Sequence, residues 1–102
     1  MSTHERTATI RNRLGMHARP AAEFVKLAGV YRCDIWVVRG DLEVNGKSIM
    51  GVMMLTAEAG AIISIRADGD DADGAVDALV ALVEAGFGEE LAEGLLPSAD
   101  PS

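Results

Sequence analysis

The sequence predicts an α+β domain in which a four-stranded antiparallel sheet is covered on one face by helices. Three observations predict it. Four short runs alternate apolar with polar residues, so that each strand offers one face to a core and the other to water. Two longer stretches repeat small or apolar residues every three or four positions, the spacing of a helix that buries one stripe. The elements follow one another as strand, helix, two strands, short helix, strand, helix, and the two long helices supply the cover that the apolar sheet face requires.

Thr7-Ala8-Thr9-Ile10 is the first strand, with Ala8 and Ile10 facing inward. His4, ahead of it, is assigned to a mobile terminus and taken as inert. Arg11-Asn12-Arg13-Leu14-Gly15-Met16-His17-Ala18-Arg19-Pro20-Ala21 comes next. Gly15 allows a sharp turn, and Ala18, Ala21, Ala22, Val25 and Ala28 then mark one face of a helix that ends at Gly29, with Phe24 and Leu27 broadening that face. Pro20 fits the first turn, where its missing N–H costs no hydrogen bond. His17 is therefore the N-cap. The first-turn amides of Ala18 and Arg19 have no partner inside the helix, and the positive end of the helix dipole lies at the same place. The guanidinium of Arg19 matches phosphate oxygens through paired hydrogen bonds. A neutral imidazole keeps one nitrogen lone pair free to attack phosphorus. An anion site thus stands beside a nucleophile.

Cys33-Asp34-Ile35-Trp36-Val37-Val38-Arg39 is the clearest strand, with Cys33, Ile35 and Val37 on one face. Gly40-Asp41 turns the chain into a short returning strand, Leu42-Glu43-Val44. After the Asn45-Gly46 turn, Ser48 reads as the N-cap of a short helix, Ile49 to Leu55. That helix crowds Ile49, Met50, Val52, Met53, Met54 and Leu55 together and cannot bury them all. Flexible thioethers left in solvent suit a surface that meets several partners. Ala61 to Ala67 returns to strand character, with Ile63 and Ile65 on one face. The carboxylates of Asp68, Asp70 and Asp71 then precede a helix carrying the stripe Ala72, Ala75, Val76, Leu79, Leu82 and Val83, which Gly86 ends. Residues 1–88 form one domain on this reading. Residues 89–102, acidic and then rich in Pro and Ser, are read as a flexible tail in which Leu91, Leu95 and Leu96 add at most a weak helical turn.

Composition excludes several classes. A net charge of −7 and only 4% aromatic residues argue against a nucleic-acid binder, which needs a basic surface. The single cysteine, Cys33, has no internal disulfide partner and reads as a small buried side chain. No apolar run approaches the roughly 18 residues of a membrane span, and the start lacks a signal-peptide apolar region, which points to the cytoplasm. No internal repeat, metal-ligand cluster or cofactor motif is found, and a monomer is expected. A small enzyme using His17 as nucleophile or general base is disfavoured because the sequence offers no second histidine near a motif and no large pocket-forming insertion.

Two stretches carry a family resemblance. Asn12-Arg13-Leu14-Gly15-Met16-His17-Ala18-Arg19-Pro20-Ala21 resembles the active-site signature of HPr, the histidine-containing phosphocarrier of the phosphoenolpyruvate-dependent phosphotransferase system. Asn45-Gly46-Lys47-Ser48-Ile49-Met50-Gly51-Val52-Met53 resembles that family's regulatory serine segment, and the likeness runs from about Thr7 to Phe87. It implies an open-faced β-sandwich with strand order 1-4-2-3. It also implies that His17 is the phosphoryl acceptor and donor, Arg19 stabilises the phosphoryl group, and enzyme I and an enzyme IIA are partners. Ser48 would be phosphorylated by an HPr kinase where the host has one, and Ile49, Met50 and Met53 would dock partners. The protein would be a carrier, not a turnover enzyme by itself. Gly15-Met16-His17 and Glu84-Ala85-Gly86-Phe87 are closer to the nitrogen-related branch, whereas Lys47-Ser48-Ile49 is closer to the sugar branch. A regulatory binding protein controlled through Ser48 is the alternative from another class.

Overall fold

The computed structural model describes residues 3–94. Its elements are β1 (Thr3–Thr9), α1 (Ala18–Ala28), β2 (Asp34–Arg39), β3 (Leu42–Asn45), α2 (Ile49–Met54), β4 (Ile62–Asp68) and α3 (Ala72–Glu84), followed by a tight turn at Gly86–Gly88. The strands form one antiparallel sheet in the order β1-β4-β2-β3, the order that the resemblance implies. Non-sequential neighbours arise because β4 enters between β1 and β2, pairing Ala8 with Ile63 on one side and Val37 with Ile65 on the other.

Alternation decides which face the helices cover. Ala8, Ile35, Val37, Ile63, Ile65 and Ala67 point to one side and are buried, together with Ala21 and Phe24 of α1, Val52 of α2 and Ala75, Leu79 and Val83 of α3. Each large side chain so buried contributes about 1.5–3 kcal/mol of transfer free energy, which is why a one-residue register slip is not tolerated. The opposite face is polar. There the Arg66 guanidinium lies 4.8 Å from the centre of the Trp36 ring and 3.0 Å from Glu43, a cation held between an aromatic face and a carboxylate.

Three expectations need correction. First, β1 starts at Thr3, so His4 is not mobile: it pairs opposite Ala67, and the strand is fastened by an ion pair from Arg6 to Asp77 at 2.9 Å. The polar residues 3–7 hid this because they form an edge strand whose side chains are exposed. Second, the buried face of α1 is centred on Pro20, Ala21, Phe24 and Ala28, while Ala18 and Ala22 are exposed. Phenylalanine carries far more apolar area than alanine, so the helix turns to bury Phe24 at the expense of small residues for which exposure costs little. Third, the chain does not fray at Glu89. Gly86, Phe87 and Gly88 have φ values of 70°, 57° and 72°, a run of left-handed residues that reverses the chain. Residues 89–92 then return alongside residues 11–13. Arg13 N–H donates to Glu90 O and Ala92 N–H to Arg11 O, each at 2.8 Å, around a bridge from Asn12 to Leu91. Leu95 and Leu96 and the Pro/Ser-rich end lie outside the described residues.

Candidate functional site

The site is built where β1 hands the chain to α1. Gly15 turns with φ +70°, and Met16 follows with its N–H donating 2.8 Å to Ala57 O and its side chain buried. These contacts fix the entry to the helix. His17 is extended at φ −85°, ψ −171°, and its carbonyl accepts the first intrahelical bond, from Ala21 N–H at 3.0 Å. It is therefore the N-cap by backbone, yet its side chain makes no capping bond. The imidazole, 36% exposed, is left available beside a helix end whose Ala18 and Arg19 amides have no carbonyl within the helix to bind.

A carboxylate that the sequence reading assigned to a flexible tail completes the site. Glu89 places Oε1 and Oε2 at 3.0 and 3.1 Å from His17 Nε2. Its Oε2 accepts from Arg19 Nη1 at 2.9 Å, and its Oε1 accepts from Asn12 Nδ2 at 3.0 Å. Asn12 is fully buried and its Nδ2 also donates to Gly15 O at 2.7 Å, so the amide cannot turn without breaking both bonds. Partial burial pushes the Glu89 carboxyl up, but hydrogen bonds from His17 and Asn12 and the field of the His17 and Arg19 side chains outweigh it and hold the carboxyl below its usual value. Among the described residues no hydrogen bond engages His17 Nδ1.

His17, Arg19, Asn12 and Glu89 thus form one connected group. Ser48 belongs to a different helix end: its Oγ accepts from Gly51 N–H at 3.0 Å and caps α2, as the spacing predicts. Val52 and Leu55 of that segment are buried, whereas Ile49, Met50 and Met53 are 45%, 77% and 39% exposed. Met54, one of the crowded set, and Leu14 are also exposed, and neither was assigned to partner docking from the sequence. Glu89 was missed because a contact between residues 72 apart leaves no periodic trace. The readable signal was the Gly-Phe-Gly run, two permissive residues around an aromatic that must be buried.

At the far end of β2, Cys33 is buried, and burial followed by the bond to and charge of Asp71 pushes its thiol up to about 11, so it is no nucleophile. No group of three or more His, Cys, Asp or Glu side chains suited to a metal ion occurs among the described residues. No helix of the described residues is long and apolar enough to cross a membrane.

Comparison with known proteins shows the family. Residues 4–85 match the family model described as the PTS HPr component phosphorylation site. The chain is 45% identical over 80 residues to phosphocarrier protein HPr of Neisseria meningitidis serogroup A, covering 78% of this chain and 90% of that protein. It is 40% identical over 89 residues to phosphocarrier protein NPr of Shewanella violacea, covering 87% and 98%. The crystal structure of an HPr from Thermoanaerobacter tengcongensis superposes with a TM-score of 0.82 at 48% identity, covering 86% of this chain and 99% of that one. The chain belongs to the HPr family of phosphocarriers of the phosphotransferase system.

Proposed function

We propose that His17 accepts a phosphoryl group on Nδ1 from the phosphohistidine of enzyme I and passes it to a histidine of an enzyme IIA. The observation that carries this reading is the half-exposed, non-capping imidazole of His17 at the amino end of α1, with the Arg19 side chain beside it. Phosphoryl transfer asks a protein mainly for position and charge stabilisation. The amides of Ala18 and Arg19 and the helix dipole supply fixed donors, and the Arg19 guanidinium supplies a positive charge beside the ring. The protein is then a phosphoryl intermediate that acts in the cytoplasm as a monomer and has no turnover of its own. Ile49, Met50 and Met53, exposed on α2, are its docking residues. A His17→Ala variant tests this assignment: it keeps the fold and takes no label from enzyme I and phosphoenolpyruvate, and a variant still labelled would refute it.

Ser48 supports a second, regulatory reading. It is a partly exposed N-cap next to exposed Ile49 and Met50, so a phosphate there would put a dianion at the edge of the docking surface. An HPr kinase is the partner this requires. The branch served, sugar uptake or the nitrogen-related relay, is set by the enzyme IIA that receives the phosphate. Transfer assays with acceptors from both branches distinguish them.

A further inference from the structure

We propose that Glu89 is a positioning residue that keeps a proton on Nε2 of His17 through the whole phosphoryl cycle, so that Nδ1 is always the reacting nitrogen and the group it carries stays transferable. The cycle itself rests on the phosphocarrier reading above. The placement of the proton does not.

An ionised carboxylate only accepts hydrogen bonds. Both Glu89 oxygens lie at bonding distance from Nε2, so Nε2 must be the donor, and in the neutral ring the lone pair then resides on Nδ1. The proton is assigned here from its partner, as it must be for any imidazole. Three independent restraints keep the carboxylate in place. Buried Asn12 holds Oε1, Arg19 holds Oε2, and the backbone bridge between residues 11–13 and 90–92 anchors the segment that carries Glu89. The left-handed turn at Gly86–Gly88 aims that segment at the ring.

The chemistry explains why such a restraint matters. As Nδ1 attacks, the Nδ1–P bond forms while the donor's N–P bond breaks and its electron pair returns to the donor ring. The His17 ring, now bonded to phosphorus on Nδ1 and hydrogen on Nε2, carries a positive charge, and Glu89 is its counter-ion. In the outward step the Nδ1–P bond breaks, the pair returns to Nδ1, and the leaving group is a neutral imidazole. No proton moves in either direction. Loss of the Nε2 proton would instead require an imidazolate to leave, a far poorer leaving group. Glu89 thus stabilises the phosphorylated ring without making its phosphate inert.

Long-range proton–nitrogen spectra of the His17 ring, recorded on the unphosphorylated full chain at a pH above the imidazole titration, test the placement. The wild type is expected to show a protonated Nε2 and an unprotonated Nδ1. In Glu89→Ala the ring signals should shift toward the average of two tautomers, and the Nε2 proton should exchange with water about tenfold faster, the loss of one charge-assisted hydrogen bond. Wild-type protonation on Nδ1, or Glu89→Ala spectra superimposable on wild type, would overturn the proposal. Glu89→Gln keeps the side chain's size and covers a misfolded alanine variant. Without the carboxylate charge the phosphorylated ring gives up its Nε2 proton more readily, and the poorer leaving group should slow phosphoryl release to an enzyme IIA about tenfold; unchanged release would remove Glu89 from the transfer step. If the wild type takes no phosphoryl group from enzyme I and phosphoenolpyruvate, the carrier reading fails while the ring spectra still decide the role of Glu89.

Discussion

A Cβ added to Gly15 would lie 2.5 Å from the carbonyl oxygen of Ala57, the same oxygen that accepts the Met16 amide. The turn that presents His17 is therefore packed directly against the backbone between α2 and β4, and the glycine answers two demands, a positive φ and an absent side chain.

Gly15→Ala should lower stability by about 2–4 kcal/mol, the sum of left-handed strain and overpacking against a backbone atom. Urea unfolding measures this. A loss under about 0.5 kcal/mol, the range of an innocuous surface substitution, would show that the turn relaxes freely.

Ser48→Ala should cost about 1 kcal/mol by removing the α2 cap, while Ser48→Asp, which can still accept from Gly51 N–H, should cost less. Because this bond lies on a different helix from the His17 group, acceptance of phosphate by His17 should be unchanged in Ser48→Ala. Comparison of denaturation midpoints with labelling by enzyme I separates the two effects.

Acid should weaken the fold partly through Glu84. Its burial pushes the carboxyl up, but the Thr9 amide at 2.8 Å and the ion pair with Arg11 prevail, so the folded value lies below the ordinary 4.5. A depressed folded value means that its contribution is complete above about pH 4.5 and is lost as pH falls through the lower folded value. Glu84→Gln should therefore give a flatter stability curve across that acid window. It should not be flat, since Glu89 and Asp71 are depressed as well. Parallel curves for wild type and variant would deny Glu84 this role.

Met50→Glu tests the docking surface. At 77% exposure the residue contributes little to the core, so stability should change by less than about 0.5 kcal/mol. Transfer from enzyme I should weaken by about 1 kcal/mol or more, roughly fivefold, through KM. An unchanged KM would place docking elsewhere.

The parts of this protein that could be read from its sequence are those encoded locally. Strand alternation gave the sheet its faces, Pro20 and Gly29 bracketed α1, and Ser48 announced α2. The placement of His17 and Arg19 at the amino end of α1 was legible because it depends on one helix terminus and adjacent residues. Glu89 was not, since its place depends on a left-handed Phe87 and on a bridge from Leu91 to Asn12, neither of which follows from propensity. The face of α1 was misread for a related reason. Alanines share the spacing of a stripe, but only packing shows that Phe24 decides the rotation of the helix.

The most direct test of His17 as carrier is intact mass after incubation with enzyme I, magnesium and phosphoenolpyruvate, repeated after brief acid treatment. A gain of one phosphoryl group that acid removes is the expected result, because a phosphoramidate is acid-labile. No gain with a competent enzyme I and folded protein, or a gain that survives acid, would contradict phosphorylation on His17 and move the function to Ser48.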